Sequence, residues 1–312
     1  MTISQHLQEF AGLKVVEYDA ESRLSAPQAQ AYRLNIDYEA AESGEKFSDL
    51  LGRFVDDPGA ADVTALLIGC WQDVATGTDA AEVVEALVAA RDRLPRLRAL
   101  FLGEITYDES EISWIQQTDV SPLLTAFPLL EELAIRGGQG LSLGRPRHDR
   151  LKKLVIESGG LSGSVVREIG SAVLPALEHL ELWLGDEGYG NDVTEEDLAP
   201  LLTGRLFPKL RYLGLRDDCR ADTTAALLAT SPVLDSLEVL DLSLGALGDD
   251  GADALLAGGK LSKLKKLDLH HHYLSEPMMA RLSMLTAEVD LSDVKEPDDW
   301  DGEEHRYIAV AE

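Results

Sequence analysis

The clearest feature of the chain is a six-residue pattern of apolar and polar positions that recurs along its length. Aliphatic residues occupy the first, fourth and sixth positions of most copies, and polar or small residues occupy most of the others. Seven copies read LRALFL (97–102), LEELAI (130–135), LKKLVI (151–156), LEHLEL (177–182), LRYLGL (210–215), LEVLDL (237–242) and LKKLDL (264–269). A weaker copy, VTALLI, begins at Val63, and EVDLSD (288–293) looks like a truncated last copy. The alternation within each copy predicts a short β-strand.

Between several of these strands the apolar spacing changes to that of a helix. The stretch DAAEVVEALVAARDRLP (79–95) carries its apolar residues on one helical face, and DDGADALLAGG (249–259) ends on a glycine pair. In TEEDLAPLLTGRL (194–206), Thr194 followed three residues later by Asp197 predicts an N-cap close to a capping box. The stretch RGGQGLSLGRPRHDR (136–150) is too short and glycine-rich for a full helix, which predicts a loop there.

The repeat length defines the fold class. Successive copies start 21 to 34 residues apart, which is the size of a leucine-rich repeat, where each unit stacks one strand and one helix. Pro95, Pro128, Pro175 and Pro208 each lie two residues before the first leucine of a copy, where proline ends the preceding helix. The sequence therefore predicts an α/β leucine-rich-repeat solenoid of about eight to nine repeats. A parallel sheet would line the concave side of this horseshoe, with helices or loops on the convex side.

The two ends of the chain depart from the repeat. LKVVEYD and AYRLNIDYE predict two strands, a candidate hairpin, followed by a helix in EKFSDLLGRFVDD. Because solenoids need capping units, we predict an N-terminal β/α cap over residues 1–60 and a solenoid over 61–292. Residues 293–312 would form an acidic loop and a C-terminal cap.

The charge balance limits the classes of partner. Fifty-six acidic and 28 basic side chains give a net charge of −28. Phosphate binding requires clustered lysine and arginine, so neither nucleic acid nor an anionic membrane is expected as a partner. The acidity favours a basic protein or peptide as the partner, and the alternative is that strong acidity serves only to keep the protein soluble.

The sequence predicts a reduced, cytoplasmic protein. Its start has no basic region followed by a long apolar run, and no window approaches the about 18 apolar residues of a membrane span. Cys70 and Cys219 lie far apart and fit no disulfide or metal-binding spacing, so both are interpreted as structural thiols.

Alternation along each strand places the third, fifth and seventh repeat positions on the concave face, where we expect their side chains to be exposed to solvent. In the early repeats these positions are small or apolar, such as Ala65, Leu67, Ala99 and Phe101. In the middle repeats they are charged and aromatic. We predict ten partner-binding residues there and in the late repeats: Arg136, Glu157, His179, Glu181, Trp183, Tyr212, Arg216, Asp241, Asp268 and His270.

Two interpretations of this surface remain open at the level of sequence. Tryptophan, tyrosine and arginine are enriched at binding hot spots, which favours a partner site around Trp183, Tyr212, Arg136 and Arg216. Alternatively, these side chains pack on one another across the strands. The fifth-position column Asp241, Asp268 and Asp290, preceded by Glu181, could attract a basic ligand or weakly bind Ca²⁺, or be average acidic surface.

No motif for catalysis or cofactor binding occurs, so we predict no catalytic residues, no cofactor and no enzyme activity. The alternative function is a metal-binding protein or metal-dependent enzyme centred on Asp268 and His270–His272. Aligned with the repeat, however, His272 takes the position where asparagine usually turns inward, and His270 faces the concave side beside Asp268. Metal ligands must converge on one point, so this placement predicts that no metal binds there.

The repeats resemble those of leucine-rich-repeat proteins of the ribonuclease-inhibitor-like type. The whole chain, including GEITYDESEISWIQQTDVSPLL (103–124) and the terminal RYIAVAE, is similar to a family of uncharacterised bacterial cytoplasmic leucine-rich-repeat proteins. Members of that family are encoded beside radical-SAM and ATP-grasp enzymes. The resemblance therefore implies a protein- or peptide-binding scaffold that is accessory to a biosynthetic or peptide-modifying enzyme system.

Overall fold

The computed structural model describes residues 3–71, 77–300 and 302–312. Twelve strands in this part of the chain form one sheet in strict sequence order. They are β1 (Glu9–Phe10), β2 (Leu13–Glu17), β3 (Gln30–Leu34), β4 (Ala65–Ile68), β5 (Ala99–Leu102), β6 (Glu132–Arg136), β7 (Lys153–Glu157), β8 (His179–Gly185), β9 (Tyr212–Asp218), β10 (Val239–Asp241), β11 (Lys266–Asp268) and β12 (Glu288–Asp290). The predicted leucine-rich-repeat solenoid with a parallel sheet is confirmed.

Helices follow most of the strands. They are α1 (Tyr38–Glu42), α2 (Phe47–Asp56), α3 (Ala81–Ala89), α4 (Ser121–Ala126), α5 (Gly163–Gly170), α6 (Glu195–Leu202), α7 (Ala221–Ala229), α8 (Asp249–Gly258) and α9 (Glu276–Leu282). The predicted capping box is present at α6, where the Thr194 and Asp197 side chains each accept the other's backbone N–H. Helix α8 is capped by Gly259, whose φ of 66° lies in the left-handed region that glycine adopts most easily.

The main core lies between the sheet and the helices. The fourth and sixth positions of the repeat point into it, as Leu133 and Ile135 of β6 illustrate. Adjacent strands pair with the repeats in register, so that Leu133 of β6 lies beside Leu154 of β7. The alignment of the repeats in the leucine pattern therefore gives the register of the strands in the sheet. We call the face of the sheet opposite this core the concave face.

The predicted hairpin near the start of the chain is wrong. Strands β2 and β3 pair in parallel, with Lys14 opposite Gln30, and it is β1 that runs antiparallel to β2. The twelve residues between β2 and β3 are enough for a crossover, which a parallel pair requires. Alternation of apolar residues predicts a strand but carries no information about its direction.

Near the other end, β13 (Asp298–Trp300) and β14 (Glu303–His305) form a separate two-stranded antiparallel ribbon. After it, the chain returns as an extended segment, residues 306–312, along the edge of the sheet where β8 to β11 end. There the Ala309 N–H donates to the Leu244 carbonyl at 2.8 Å, and the Val310 N–H donates to the Asp217 carboxyl group at 3.0 Å.

Candidate binding site on the concave face

A dense network of polar side chains lies at the centre of the concave face, on strands β8 to β10. Glu181 accepts hydrogen bonds from Trp183 Nε1 at 2.9 Å, Arg216 Nη1 at 2.6 Å and His179 Nε2 at 3.2 Å. The Tyr212 hydroxyl lies 2.6 Å from Asp241 Oδ2 and 3.3 Å from Glu181 Oε2, so its single proton is donated to Asp241. We call these six residues the Glu181 network.

Strand register brings the network together. His179 of β8 lies opposite Tyr212 of β9, and Trp183 lies opposite Arg216. The His179 and Tyr212 rings stack in parallel with centroids 3.7 Å apart, and the Arg216 guanidinium lies 5.2 Å from the centre of the Trp183 ring. Cross-strand pairs of this kind stabilise a sheet directly.

The network keeps Glu181 and Arg216 charged and the Tyr212 phenol neutral. Burial opposes ionisation of Glu181, but the hydrogen bond from His179, the charge of Arg216 and the hydrogen bond from Trp183 outweigh it and lower the pKa of Glu181 to about 2. Burial and the neighbouring carboxylates of Glu181 and Asp241 raise the pKa of Tyr212 far above its usual value. Glu181 is therefore a very weak base, unsuited to accept a proton from a substrate at neutral pH.

The expectation that Trp183 and Arg136 face solvent is wrong. Trp183 is 2% exposed and Arg136 is 4% exposed. Trp183 packs with Ile3, Ile112, Leu244 and Val310, which come from distant parts of the chain. The alternative interpretation, in which these side chains pack on one another, describes the centre of this surface, because segments from both ends of the chain cover it.

The apolar concave positions of the early repeats are also covered. Ala65, Leu67, Ala99 and Phe101 form a second buried cluster with Phe10 of β1, whose ring centre is 6.0 Å from that of Phe101. Residues 3–10 thus lie across the concave face.

This covering segment is held by contacts to the buried carboxylate of Glu104, which the sequence did not predict. Glu104 accepts the Leu7 N–H at 2.7 Å, and it pairs with Arg33 Nη2 at 2.7 Å and His6 Nδ1 at 3.0 Å. The run of outward apolar residues in the early repeats was the available signal, since such a face needs a cover.

A cavity of about 310 Å³ remains on the concave face between the covering segment and strands β5 to β9. Its floor includes Phe101, Ala134 and Val155, and its polar lining includes Glu132, Lys153, Arg136 and Glu157. Arg136 Nε donates to Glu157 Oε2 at 2.6 Å, while Lys153 pairs with Glu132 at 2.8 Å and remains 40% exposed. The cavity is therefore amphipathic, with an apolar floor and a zwitterionic lining.

Five of the ten predicted residues line this cavity: Arg136, Glu157, Glu181, Trp183 and Arg216. His179, Tyr212 and Asp241 belong to the Glu181 network beside it. Asp268 and His270 lie further along the sheet on and after β11. The sequence prediction missed Lys153, although the repeat pattern places it on the same face.

The three consecutive histidines, His270–His272, lie in different surroundings. His270 Nδ1 lies 2.7 Å from Asp268 Oδ1, and possible ligand atoms of Asp268, His270 and Asp290 lie within 4.8 Å of one another. Lys266 Nζ also contacts Asp268 Oδ2, at 2.8 Å, so one oxygen of this carboxylate is already paired with an ammonium group. His271 contacts the Tyr307 carbonyl, and His272 is fully buried, so neither joins His270 in one ligand set.

The two cysteines do not pair with each other. Cys70 is buried, and Cys219 is partly buried beside Asp218. Burial raises the pKa of the Cys219 thiol to about 11, and the Asp218 carboxylate adds to the effect. A thiol with this pKa is protonated at neutral pH and is a poor nucleophile.

A sheet that adds one strand per repeat, backed by helices, defines a leucine-rich-repeat protein. A Bacteroides fragilis protein whose crystal structure was solved in a structural genomics programme matches with a TM-score of 0.79 and 36% sequence identity, over 86% of this chain and 75% of that chain. The chain belongs to the same family as this bacterial protein.

A second structural match is much weaker. An internalin from Listeria monocytogenes matches 78% of this chain and 57% of that chain with 16% identity and a TM-score of 0.37, which is too low to support an argument. No protein-family model and no curated protein matches the chain. Among the described residues, no helix has the length and apolar character needed to cross a membrane.

Proposed function

We propose that the protein is a non-catalytic cytoplasmic scaffold that binds a protein or peptide in the cavity on the concave face. The observation that carries this proposal is the amphipathic cavity itself, in which paired charges surround an apolar floor. Such a lining offers hydrogen bonds to a peptide backbone and contact area to an apolar side chain. The leucine-rich-repeat fold supports the same function, since its extended concave surfaces serve for binding.

The residues around the cavity favour binding over catalysis. Its described lining contains no hydroxyl, thiol or imidazole group, and three of its four carboxylates, Glu132, Glu157 and Glu181, are paired with lysine or arginine. The fourth, Glu9, is exposed to solvent. A general base or nucleophile would need an unpaired group with a pKa near the working pH. We also propose that the repeats are of the ribonuclease-inhibitor-like type, and that residues 1–60 and 293–312 cap a solenoid formed by residues 61–292. The same proposal gives the protein an accessory role beside a peptide-modifying or biosynthetic enzyme.

The test uses groups at the edge of the cavity, because truncating Trp183 or Arg216 would disturb the buried network. A photoreactive benzoylphenylalanine at position 153 should crosslink a discrete protein partner in extracts of the source organism. The same group at Glu85, an exposed position on α3, should not. The adduct is identified by mass spectrometry, and the partner is then purified for binding measurements.

Ala134→Phe fills the floor of the cavity and should weaken binding of the purified partner at least about tenfold, as loss of a central apolar contact does. Ala89→Phe, at an exposed position on α3, is the matched control and should leave the affinity unchanged. Lys153→Glu tests the same site without changing the core. Full affinity in both cavity variants, or the same adducts from positions 153 and 85, would show that the cavity is not the binding site.

A further inference from the structure

A second recess, separate from the concave cavity, lies along the segment 306–312. It is a groove of about 570 Å³ bordered by Tyr107, Tyr189, Asp186 and the extended stretch 307–312. It shares only Ile3 with the described lining of the concave cavity. Neither the repeat pattern nor the proposed function accounts for it.

The wall of the groove is fixed in place. Val310 is buried against Trp183, and its N–H donates to Asp217. The Tyr273 hydroxyl lies 2.8 Å from both the amide nitrogen and the carbonyl oxygen of Tyr307. A Cβ atom on Gly159 would lie 2.3 Å from the Ala311 carbonyl oxygen, so glycine is what allows this close approach. The segment 306–312 is therefore a fixed wall of the groove, and one of its sides faces the groove.

Aromatic rings dominate the open side. Tyr107 is 50% exposed and Tyr307 is 53% exposed, which is unusual for two large rings bordering one recess. Tyr189 donates a hydrogen bond to Glu312, which raises the pKa of Tyr189 to about 12 and keeps its ring neutral. The electron-rich faces of such rings attract the ammonium group of lysine and the guanidinium group of arginine.

The charged side chains in the described lining of the groove are all acidic. Asp186 and Glu312 are its lining carboxylates, and no lysine, arginine or histidine occurs in the described lining. Arg306, next to the groove in sequence, is paired with Asp222 at 2.9 Å. The net charge of −28 strengthens attraction of a cation and opposes a second copy of the chain at the same place.

We propose that this tyrosine groove binds an extended peptide segment bearing arginine or lysine side chains. The apolar side chains of the lining, such as Ile3 and Ile308, contact the methylene stems of these side chains. The rings of Tyr107 and Tyr307 contact their cationic ends, and Asp186 and Glu312 accept hydrogen bonds from them. The proposal is independent of the concave cavity, so the protein would carry two separate partner surfaces.

The probe is a fluorescein-labelled, acetylated nonapeptide of alternating arginine and leucine, followed by fluorescence anisotropy at about 0.15 M NaCl, where exposed charges are screened beyond about 8 Å. We expect saturable binding. The same peptide with citrulline in place of arginine keeps the shape without the charge and should bind at least about tenfold more weakly.

Variants in the groove test whether the probe binds there or is attracted only by the net negative charge of the protein. The double variant Tyr107→Ala, Tyr307→Ala keeps the net charge and should weaken binding about tenfold. Tyr38→Ala, at an exposed tyrosine on α1, should leave binding unchanged. Asp186→Asn with Glu312→Gln should weaken binding more than Glu85→Gln with Asp149→Asn, which remove two exposed charges outside the groove.

The Ala134→Phe variant of the concave cavity should bind the probe normally, so the two proposals fail separately. Absence of saturable binding, equal affinity for the citrulline peptide, or groove variants that behave like their controls would each overturn the proposal of a tyrosine groove.

Discussion

A single histidine illustrates how the repeat uses a polar side chain inside its core. His272 is fully buried, its Nδ1 accepts the Leu274 N–H at 3.1 Å, and its Nε2–H donates to the Leu291 carbonyl at 3.1 Å. This arrangement requires a neutral ring with the proton on Nε2. The predicted role, in which an imidazole replaces the inward asparagine of the repeat, is confirmed.

The ionisation of His272 predicts how stability depends on pH. Burial lowers the pKa of His272, so below pH about 6.5 the unfolded chain takes up a proton that the folded protein excludes. The contribution of this residue is therefore complete above that pH and is lost as the pH falls. In urea unfolding, the stability of wild type relative to His272→Asn should decrease between pH 7.5 and pH 5. His305→Asn, at an exposed histidine, should give no such trend, and a trend of the same size there would contradict the argument.

At the scale of elements, the segment 306–312 decides the environment of the central tryptophan. Val310 belongs to the small apolar cluster that encloses Trp183, whereas the neighbouring Ile308 lies outside it. The segment thus acts as part of the core although it has no regular secondary structure.

Shortening Val310 should expose Trp183 to water. In a background with Trp114 and Trp300 replaced by phenylalanine, only the buried Trp71 and Trp183 remain. There, Val310→Ala should shift tryptophan emission to longer wavelength and reduce the free energy of unfolding by about 1–2 kcal/mol, from the lost methyl groups. Ile308→Ala is the control. An unchanged emission maximum in Val310→Ala would mean that other side chains cover Trp183.

At the scale of the whole molecule, the net negative charge destabilises the folded state. A net charge of −28 spread over 312 residues creates self-repulsion that the folded state must overcome. Local pairs such as Lys152 with Glu131 and Lys265 with Glu238 relieve little of it, because surface pairs contribute at most about 1 kcal/mol each.

Salt should therefore stabilise the protein at a pH where it is charged. Raising NaCl from about 0.02 M to about 0.5 M shortens the screening length from about 20 Å to about 4 Å. We expect the melting temperature at pH 8 to rise by several degrees. Near the isoelectric point of about 4.5, the same change should have little effect. Equal increases at both pH values would point to a general salt effect instead of relief of repulsion.

Local features of the sequence predicted the local structure. The leucine pattern predicted which side chains enter the core, the prolines predicted that the preceding helix has ended, and Thr194 with Asp197 predicted a helix start. The direction of β2 and β3 was predicted wrongly, because an apolar pattern is the same in both directions. The exposure of Trp183 and Arg136 was also predicted wrongly, because no local pattern shows that distant segments cover the concave face.

The sequence by itself determined the repeat, its register and the identity of the side chains on each face of the sheet. These depend on spacing within about 30 residues, where strand and helix periods act. Only the tertiary structure decided which of the outward side chains remain accessible. The contacts that cover them join residues far apart in the chain, such as Leu7 with Glu104 and Val310 with Asp217, and no local pattern encodes such distant pairs.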